Sequence, residues 1–436
     1  RRQRQMCIRD SGIGNYEVYG EYAQVESKNY GGATGLYNSK LLNTNLRWEQ
    51  SQTFEVGLDI GFLQNRLSFI LDYYSRDTKD LLTKQALPGY TGFSDIVTNQ
   101  GTLRNYGFEA EVRANIINKG GFTWDMNANI SSVANKIISL PYNGVDKNRV
   151  GGYEVAAGKV GADGKFPTKW IAGRQEGGKL GELVAYKQQH IFKDWDDVKK
   201  YANNRIDEVA NLYGPGLAAQ YAGKEGWQPI EPGDVCWEDI NGDGVINGYD
   251  RQVVGNIFPK VTGGFSTTLG YKNLSLYARF DYALGHTIYN DLAARSLGQY
   301  QGSFNIIKEV KKTWSETNTD TDLPAFYYAD QLSKKNITRS NNGLTAIDNN
   351  SSRFYEKGDY LALRELTLNY NLPKTWISKV GMTDASVYVT GQNLFYITGY
   401  TGVSPEPAVD TTYGRGIDNG RYPTPRTVLF GLSVTF

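Results

Sequence analysis

The chain alternates apolar and polar residues with a period of two over several stretches of about ten residues. Between residues 106 and 116, apolar side chains at even positions alternate with Gly, Glu, Arg and Asn at odd positions. The same period recurs at 54–62, 122–130, 274–282 and 428–436. Because successive side chains of a strand point to opposite faces, this pattern predicts β-strands with one apolar and one polar face. A tilted strand of this length can cross a bilayer.

Soluble β-sandwiches also alternate, since each of their sheets has one wet face. Two features favour a membrane barrel over a sandwich. The stretches are longer than the usual globular strand of about 5–6 residues. Their apolar face is uniformly large, and their polar face carries charge, as expected for lipid outside and water inside. The 31 Tyr, 17 Phe and 8 Trp suit sheets and interfacial aromatic girdles. We therefore predict an all-β fold, a transmembrane antiparallel β-barrel.

Composition excludes other classes of protein. No apolar run reaches about 18 residues, the length that predicts a transmembrane helix. The formal net charge is +1, so no nucleic acid partner is implied. Cys7 and Cys236 are too few for a disulfide framework. With only His190 and His286 besides, a zinc site of the Cys/His type is not expected.

The lengths of the links between predicted strands give an independent check. Short and long links alternate, as they do when periplasmic turns are tight and extracellular loops are long. The pattern gives about nine strands, or eleven if 165–190 adds a hairpin, and the last strand, 425–436, then ends in the periplasm. The short links are 62–66, 116–122 and 271–274, and a link of moderate length, 371–383, carries Pro373. The long links are 76–103, 133–258, 287–358 and 395–424.

An odd strand number cannot close a bacterial barrel, and an open edge in lipid leaves backbone groups unpaired. We therefore expect an incomplete barrel, a carboxy-terminal part of a larger one. Residues 1–10 resemble a translated sequencing adapter, with a basic amino-terminal arm as the alternative, so 11–436 is the expected barrel part. One strand changes phase between Leu363 and Leu366, which predicts a β-bulge.

Six segments in order along the chain resemble the SusC/RagA family of TonB-dependent outer-membrane transporters. The most specific is 235–276, which contains the phrase WEDINGDGVINGYD. The resemblance covers nearly everything after about Tyr16. The other matching segments are 43–62, 71–82, 358–373, 387–406 and 422–436.

This resemblance implies a barrel of 22 strands in the outer membrane, surrounded by lipid and filled by an amino-terminal plug domain that this sequence lacks. It implies energy from the TonB–ExbB–ExbD complex and cooperation with a SusD-like surface lipoprotein. The implied cargo is an oligosaccharide or a peptide. The residues that would contact cargo are not identified by the sequence.

The segment 239–250 has the spacing of a calcium loop, within the long extracellular insertion 133–258. Gly244 stands where such a loop turns sharply. A turn stabilised by Asn and Asp side chains without metal is the alternative. The expected ligands of a structural calcium ion are Asp239, Asn241, Asp243, the carbonyl of Val245, Asn247 through water, and Asp250.

Phe436 closes the chain after alternating apolar residues and resembles the signal that the barrel assembly machinery recognises. A short amphipathic helix is expected at 193–204, with Asp194 as its N-cap. Loop aromatics are candidates for stacking on sugar rings, although most such side chains pack or lie at the membrane interface. These aromatics are Trp170, Trp227, Trp237 and Tyr400.

Catalytic motifs are not found. The chain has no GxSxG and no HExxH, and its two histidines lie far apart without a nearby nucleophile motif. We predict that the protein is not an enzyme. Two alternatives remain open: an outer-membrane barrel enzyme, which needs a histidine with an acid or serine near the rim, and a secreted β-protein that binds glycans.

Overall fold

A computed structural model describes residues 21–30, 33–200, 232–244, 246–298, 307–325, 351–406, 416–420 and 422–436. These residues form twenty β-strands and three short α-helices. The first ten strands are β1 (Glu21–Tyr30), β2 (Ala33–Lys40), β3 (Gln50–Phe62), β4 (Leu67–Ala86), β5 (Asp95–Lys119), β6 (Phe122–Ser139), β7 (Tyr153–Ala156), β8 (Thr168–Ile171), β9 (Glu182–Tyr186) and β10 (Gln188–Ile191). The others are β11 (Val235–Trp237), β12 (Arg251–Asn256), β13 (Val261–Tyr271), β14 (Leu274–Leu284), β15 (Thr287–Asn290), β16 (Tyr355–Lys357), β17 (Tyr360–Asn371), β18 (Asp384–Thr398), β19 (Ile417–Asp418) and β20 (Thr427–Thr435).

The helices are short and lie in the links. The α-helices are α1 (Trp195–Lys200), α2 (Asp291–Gly298) and α3 (Lys374–Ile377). Single turns of 3₁₀ helix are Gly89–Thr91, Asp146–Asn148, Gly248–Asp250, Lys308–Lys312, Ser352–Phe354 and Ser378–Val380. Among the described residues, no helix has both the length and the hydropathy needed to cross a membrane.

Nine strands form one antiparallel sheet in the order β20-β18-β17-β14-β13-β6-β5-β4-β3. Each strand pairs with the next sheet strand along the chain, so the sheet is a meander. This agrees with the predicted count of nine. The alternative of eleven is wrong, because the strands within 165–190 pair with partners in the links and not with this sheet.

Short and long links alternate from β5 to β20, as predicted, and the link 372–383 between β17 and β18 is of moderate length. The tight turns close at 63–66, 120–121 and 272–273. Leu63, Gln64 and Asn65 all have positive φ angles in the first of these turns. The long excursions occupy 140–260, 285–359 and 399–426.

The predicted long link 76–103 is wrong, since β4 and β5 continue as a paired hairpin and leave only 87–94 between them. Register shifts after Thr78 interrupt the period of two there. Asp80 has a φ of 57° at this irregularity. A broken period hides a strand from pattern analysis, because the side chains no longer alternate in a single phase.

The long excursions build small sheets of their own. β9 pairs with β12, β10 with β11, and β7 with β8. β15 lies between β16 and β19, and its pairing with β19 is parallel. Several buried apolar clusters lie in these excursions; one contains Ile191, Phe192, Val198, Val235, Cys236, Trp237 and Ile246, and another contains Ala185, Tyr289, Ala294, Phe354, Tyr355 and Ile417.

One face of the main sheet carries large apolar side chains that the described residues leave uncovered. Phe54 is 62% exposed, Leu58 is 53% exposed and Phe430 is 83% exposed. Soluble proteins rarely leave a contiguous apolar surface of this kind in contact with water. The face is suited to lipid, as the predicted all-β membrane fold requires.

Candidate functional site

The two faces of the main sheet are distinguished row by row. Because paired residues on neighbouring strands share a face, the register assigns each residue to one side. We call the polar side the luminal face. One luminal row runs through Arg113, Asn127, Ser266, Arg279, Glu365 and Gln392, and the adjacent row on the other face runs through Val112, Ala128, Phe265, Phe280, Leu363 and Phe395.

The predicted β-bulge in β17 is confirmed, and Arg364 is the extra residue. β14 pairs Arg279 with Glu365 and Phe280 with Leu363, so Arg364 has no residue opposite it. The register with β18 shifts at the same place. The bulge turns the Arg364 side chain onto the luminal face, where it meets Asp281.

Arg364 joins three separate parts of the chain. Its Nε donates to Asp281 Oδ1 at 2.6 Å, and its Nη1 donates to the Tyr396 hydroxyl at 2.9 Å. Its Nη2 forms an ion pair with Glu406 Oε1. The Arg364 side chain is only 16% exposed. Hydrogen bonds between charged groups are stronger than neutral ones, so this cluster fixes the loop after β18 to the sheet.

The segment 399–406, which we call the anchored loop, is held at further points. His286 is buried, and its Nε2 donates to the carbonyl of Pro405 at 2.9 Å. The Tyr400 hydroxyl donates to Asp418 Oδ2 at 2.7 Å, and both residues are buried. Burial and the Asp418 carboxylate raise the pKa of Tyr400 above its ordinary value, so its hydroxyl stays protonated and remains a donor.

A cavity of about 1080 Å³ lies among the links, and we call it the loop cavity. Helix α2 and the 3₁₀ turn Lys308–Lys312 form part of its lining. Residues 320–323 and 352–354 form another part, and Thr401 and Gly402 of the anchored loop also face the cavity. A cavity of this size is at the upper end of the range that accepts small organic ligands.

Most polar side chains of the loop cavity are already paired. Glu356 accepts hydrogen bonds from Asn290 Nδ2 at 2.8 Å and from the Thr401 amide at 2.9 Å. Arg353 forms an ion pair with Asp322 at 2.6 Å. The cavity wall is therefore preorganised by contacts between β15, β16 and the anchored loop.

The segment 239–250 forms a compact turn closed by its own carboxylates. Asp239 accepts hydrogen bonds from the amides of Gly242 at 2.6 Å and Gly244 at 2.9 Å. Asp250 accepts from the amides of Ile240 and Asn247. Gly242 and Gly244 have φ angles of 71° and 82°, which explains why glycine stands at these positions. Gly244 therefore has the backbone conformation expected where the sequence predicts a sharp turn.

The predicted calcium ligands are partly brought together. Asp250 is fully buried, and burial is the main cause that raises its pKa to about 7, with the nearby charges of Asp239 and Asp243 adding to it. Asn241 Nδ2 donates to Asp243 Oδ2 at 2.9 Å. Within the described ranges, no group of three or more His, Cys, Asp or Glu side chains is arranged to hold a metal ion. Val245 lies outside the described residues. Calcium at this segment stays a prediction.

The other predicted residues have separate positions. Helix α1 begins where predicted, since Asp194 Oδ1 caps the amide of Asp197 at 2.8 Å. Phe436 is 81% exposed, next to the last residue of β20. Trp237 and Tyr400 are buried, and an Arg149 guanidinium lies 4.0 Å from the centre of the Trp170 ring. Trp227, the remaining aromatic predicted to stack on sugar rings, lies outside the described residues. Residues 1–10, which resemble a sequencing adapter, also lie outside them.

The two histidines lie in different environments. His190 Nε2 is 3.1 Å from Asp197 Oδ2, and β10 places it beside Cys236 of β11. Burial raises the pKa of the Cys236 thiol to about 12, which opposes thiolate formation. Since a thiolate is the reactive form of cysteine, this pair does not have the chemistry of an activated nucleophile.

Residues 13–292 match the family described as TonB dependent receptor-like, beta-barrel. The chain is 30% identical to TonB-dependent receptor P3 of Formosa agariphila over 92% of the chain and 36% of that relative. It is 28% identical to the TonB-dependent receptor SusC of Bacteroides thetaiotaomicron over 97% of the chain and 35% of the relative. The RagAB peptide transporter aligns with a TM-score of 0.66 at 22% identity, over 98% of this chain and 39% of that one. The chain thus spans a little over a third of the length of these proteins.

Proposed function

Because the chain belongs to the family of TonB-dependent receptor β-barrels, we propose that it forms wall and loop surface of an outer-membrane nutrient importer. The observation that supports this most is the nine-stranded meander, which has an apolar face for lipid and a charged luminal face. Long links alternate with tight turns, so the links with their cavity gather at one end of the sheet. In this arrangement the links receive the cargo and the luminal face lines its route.

The mechanism has three parts. Cargo, an oligosaccharide or a peptide, is captured between the long links and a SusD-like surface lipoprotein. The TonB–ExbB–ExbD complex then supplies the energy for its admission through the barrel. The described residues act as wall and binding surface, since a hydrogen-bonded sheet of nine strands is a rigid element.

Uptake measurements test the proposal. The complete gene product is expressed together with its neighbouring genes, and uptake of fluorescent maltoheptaose and of a fluorescent tetrapeptide mixture is followed in cells with and without TonB. We expect uptake of one of the two that disappears without TonB. Uptake that persists without TonB, or a protein recovered from the aqueous phase without detergent, contradicts the proposal; the second result favours a secreted glycan-binding protein.

The enzyme alternative has its own test. An outer-membrane hydrolase with an essential histidine loses activity when His190 or His286 is replaced by alanine. We expect TonB-dependent uptake to survive His190→Ala, because His190 lies in the small β10–β11 sheet and not on the luminal face. If the purified protein hydrolyses cargo and His190→Ala abolishes this activity, the enzyme alternative is supported instead.

We further propose that the 239–250 turn binds one structural calcium ion and that Phe436 is read by the barrel assembly machinery. The calcium-loop spacing of Asp239, Asn241 and Asp243 supports the first, together with the positive φ of Gly244 where such a loop turns sharply. The exposed apolar side chain at the end of the chain supports the second. Neither proposal requires a catalytic role for these residues.

A further inference from the structure

The loop cavity has a chemical character that narrows the class of cargo. Sugar-binding sites rely on aromatic rings, whose faces stack on the apolar C–H faces of a pyranose. Among the described lining residues there is no Trp or Tyr, and the ring of Phe354 is only 2% exposed. The described wall therefore offers a neutral oligosaccharide no stacking surface.

The same wall carries opposite charges that are free to bind a ligand. Glu309 and Lys312 lie on the 3₁₀ turn Lys308–Lys312, are exposed, and line the cavity. Within the described residues, neither side chain has an ion-pair or hydrogen-bond partner, in contrast to Arg353 and Asp322. An unpaired carboxylate and an unpaired ammonium in one wall complement a ligand that carries both charges.

Apolar contacts are available beside these charges. Leu292 of α2 is 41% exposed and Ile307 is 37% exposed, and both line the cavity. Asn318 lines it as well, although its amide nitrogen donates to the carbonyls of Lys312 and Thr313. Aliphatic surface next to opposite charges matches the side chains and termini of a short peptide.

We propose that the loop cavity binds short peptides that carry both charges, with Glu309 and Lys312 as the residues that determine this specificity. Glu309 pairs with an amino terminus or a lysine of the ligand, and Lys312 pairs with a carboxylate. Leu292 and Ile307 contact its apolar side chains. This inference rests on the proposed import function and assigns the class of cargo to one site.

Calorimetric titration of the complete gene product in detergent tests the inference. The probes are a tetrapeptide with free termini, KLAE, its neutral counterpart acetyl-QLAQ-amide, and maltoheptaose. We expect KLAE to bind at least about tenfold more tightly than the neutral peptide, since two partly exposed ion pairs contribute about this much together. We expect maltoheptaose to give no binding heat at this site.

The test variant and its control lie close together in the sequence, within 309–316. Glu309→Gln combined with Lys312→Gln should weaken KLAE about tenfold and leave the neutral peptide unchanged. Lys311→Gln combined with Glu316→Gln is the control, because these residues are exposed, do not line the cavity, and when replaced together leave the net charge unchanged, as the first pair does. Equal effects of the two double variants on KLAE would overturn the assignment of these residues.

The remaining outcomes separate this inference from the proposed function. If KLAE does not bind, or binds no better than acetyl-QLAQ-amide or maltoheptaose, the peptide site is wrong, even where uptake of another cargo still depends on TonB. If KLAE binds and the Glu309 and Lys312 variant weakens it, the site stands. If uptake in that case does not depend on TonB, only the proposed TonB-dependent import function is contradicted.

Discussion

Replacing Arg364 with methionine should release the anchored loop without unfolding the sheet. Methionine keeps much of the aliphatic volume of the side chain and removes its charge. The variant loses hydrogen bonds to Asp281 and to Glu406 and leaves two carboxylates near each other. A hydrogen bond to a charged group contributes about 1.5–3 kcal/mol when it is well buried.

The magnitude follows from the partial exposure of the partners. The Asp281 and Glu406 side chains are 37% and 35% exposed, so water replaces part of each lost contact. We therefore expect the free energy of local opening of the anchored loop to fall by about 2–3 kcal/mol. This corresponds to amide hydrogen exchange that is roughly 30- to 150-fold faster in 399–406. Amides in the paired strands β13 and β14 should exchange at their original rates.

Hydrogen exchange followed by mass spectrometry on the complete gene product measures this effect. Arg279→Met is the matched control, because Arg279 lies on the same luminal face and has no ion-pair partner among the described residues. A Glu406→Gln variant and the double variant with Arg364→Met complete a thermodynamic cycle. We expect a coupling energy of at least about 1 kcal/mol. Equal exchange of the anchored loop in the Arg364→Met and Arg279→Met proteins would refute the anchoring role.

Three further predictions concern other residues. The complete gene product should bind calcium with a dissociation constant of about 0.1–1 mM, as extracellular calcium modules do. Asp243→Asn should weaken binding at least about tenfold, whereas the control Asp163→Asn should leave it unchanged. Calorimetry that detects no calcium binding would contradict the calcium proposal. Tyr400→Phe should accelerate exchange in the anchored loop about five- to 150-fold, because loss of the buried hydroxyl leaves its acceptor short of one donor at a cost of about 1–3 kcal/mol. Unchanged exchange would contradict this. Phe436→Ser should lower the folded fraction in the outer membrane, measured by heat-modifiable mobility on gels, and an unchanged fraction shows that the side chain is not needed for assembly.

The strands of the main sheet could be predicted because lipid imposes a simple rule on them. Lipid favours apolar side chains at the positions that face it and requires every backbone group to be paired, so the period of two survives over most of the span. The segments 54–62, 122–130 and 274–282 all lie within observed strands. Where β4 and β5 continue beyond Thr78, a register shift breaks the period, and the prediction fails at that point.

The arrangement of the links could not be predicted in the same way. Their sheets pair distant segments, such as β9 with β12 and β15 with β19. These strands have two to six residues, too few to establish a period of two. The loop cavity draws its lining from several such segments, so no local pattern marks it. Local signals still located the cap at Asp194 and the turn at 239–250, because both depend on neighbours in sequence.

The bulge at Arg364 explains both the phase change in the sequence of β17 and the ion pairs that hold the anchored loop. The apolar pattern of the sequence shifts by one residue between Leu363 and Leu366. In a regular strand this shift would place the apolar side chains after Leu363 on the opposite face of the sheet. The extra residue prevents this, since Leu363 pairs with Phe280 and Leu366 pairs with Ala278 on the same apolar face. The residue that restores the phase is left on the luminal side without a cross-strand partner. An arginine at that position reaches a carboxylate on β14 and another on the anchored loop, so the phase change visible in the sequence marks the place where sheet and loop are joined.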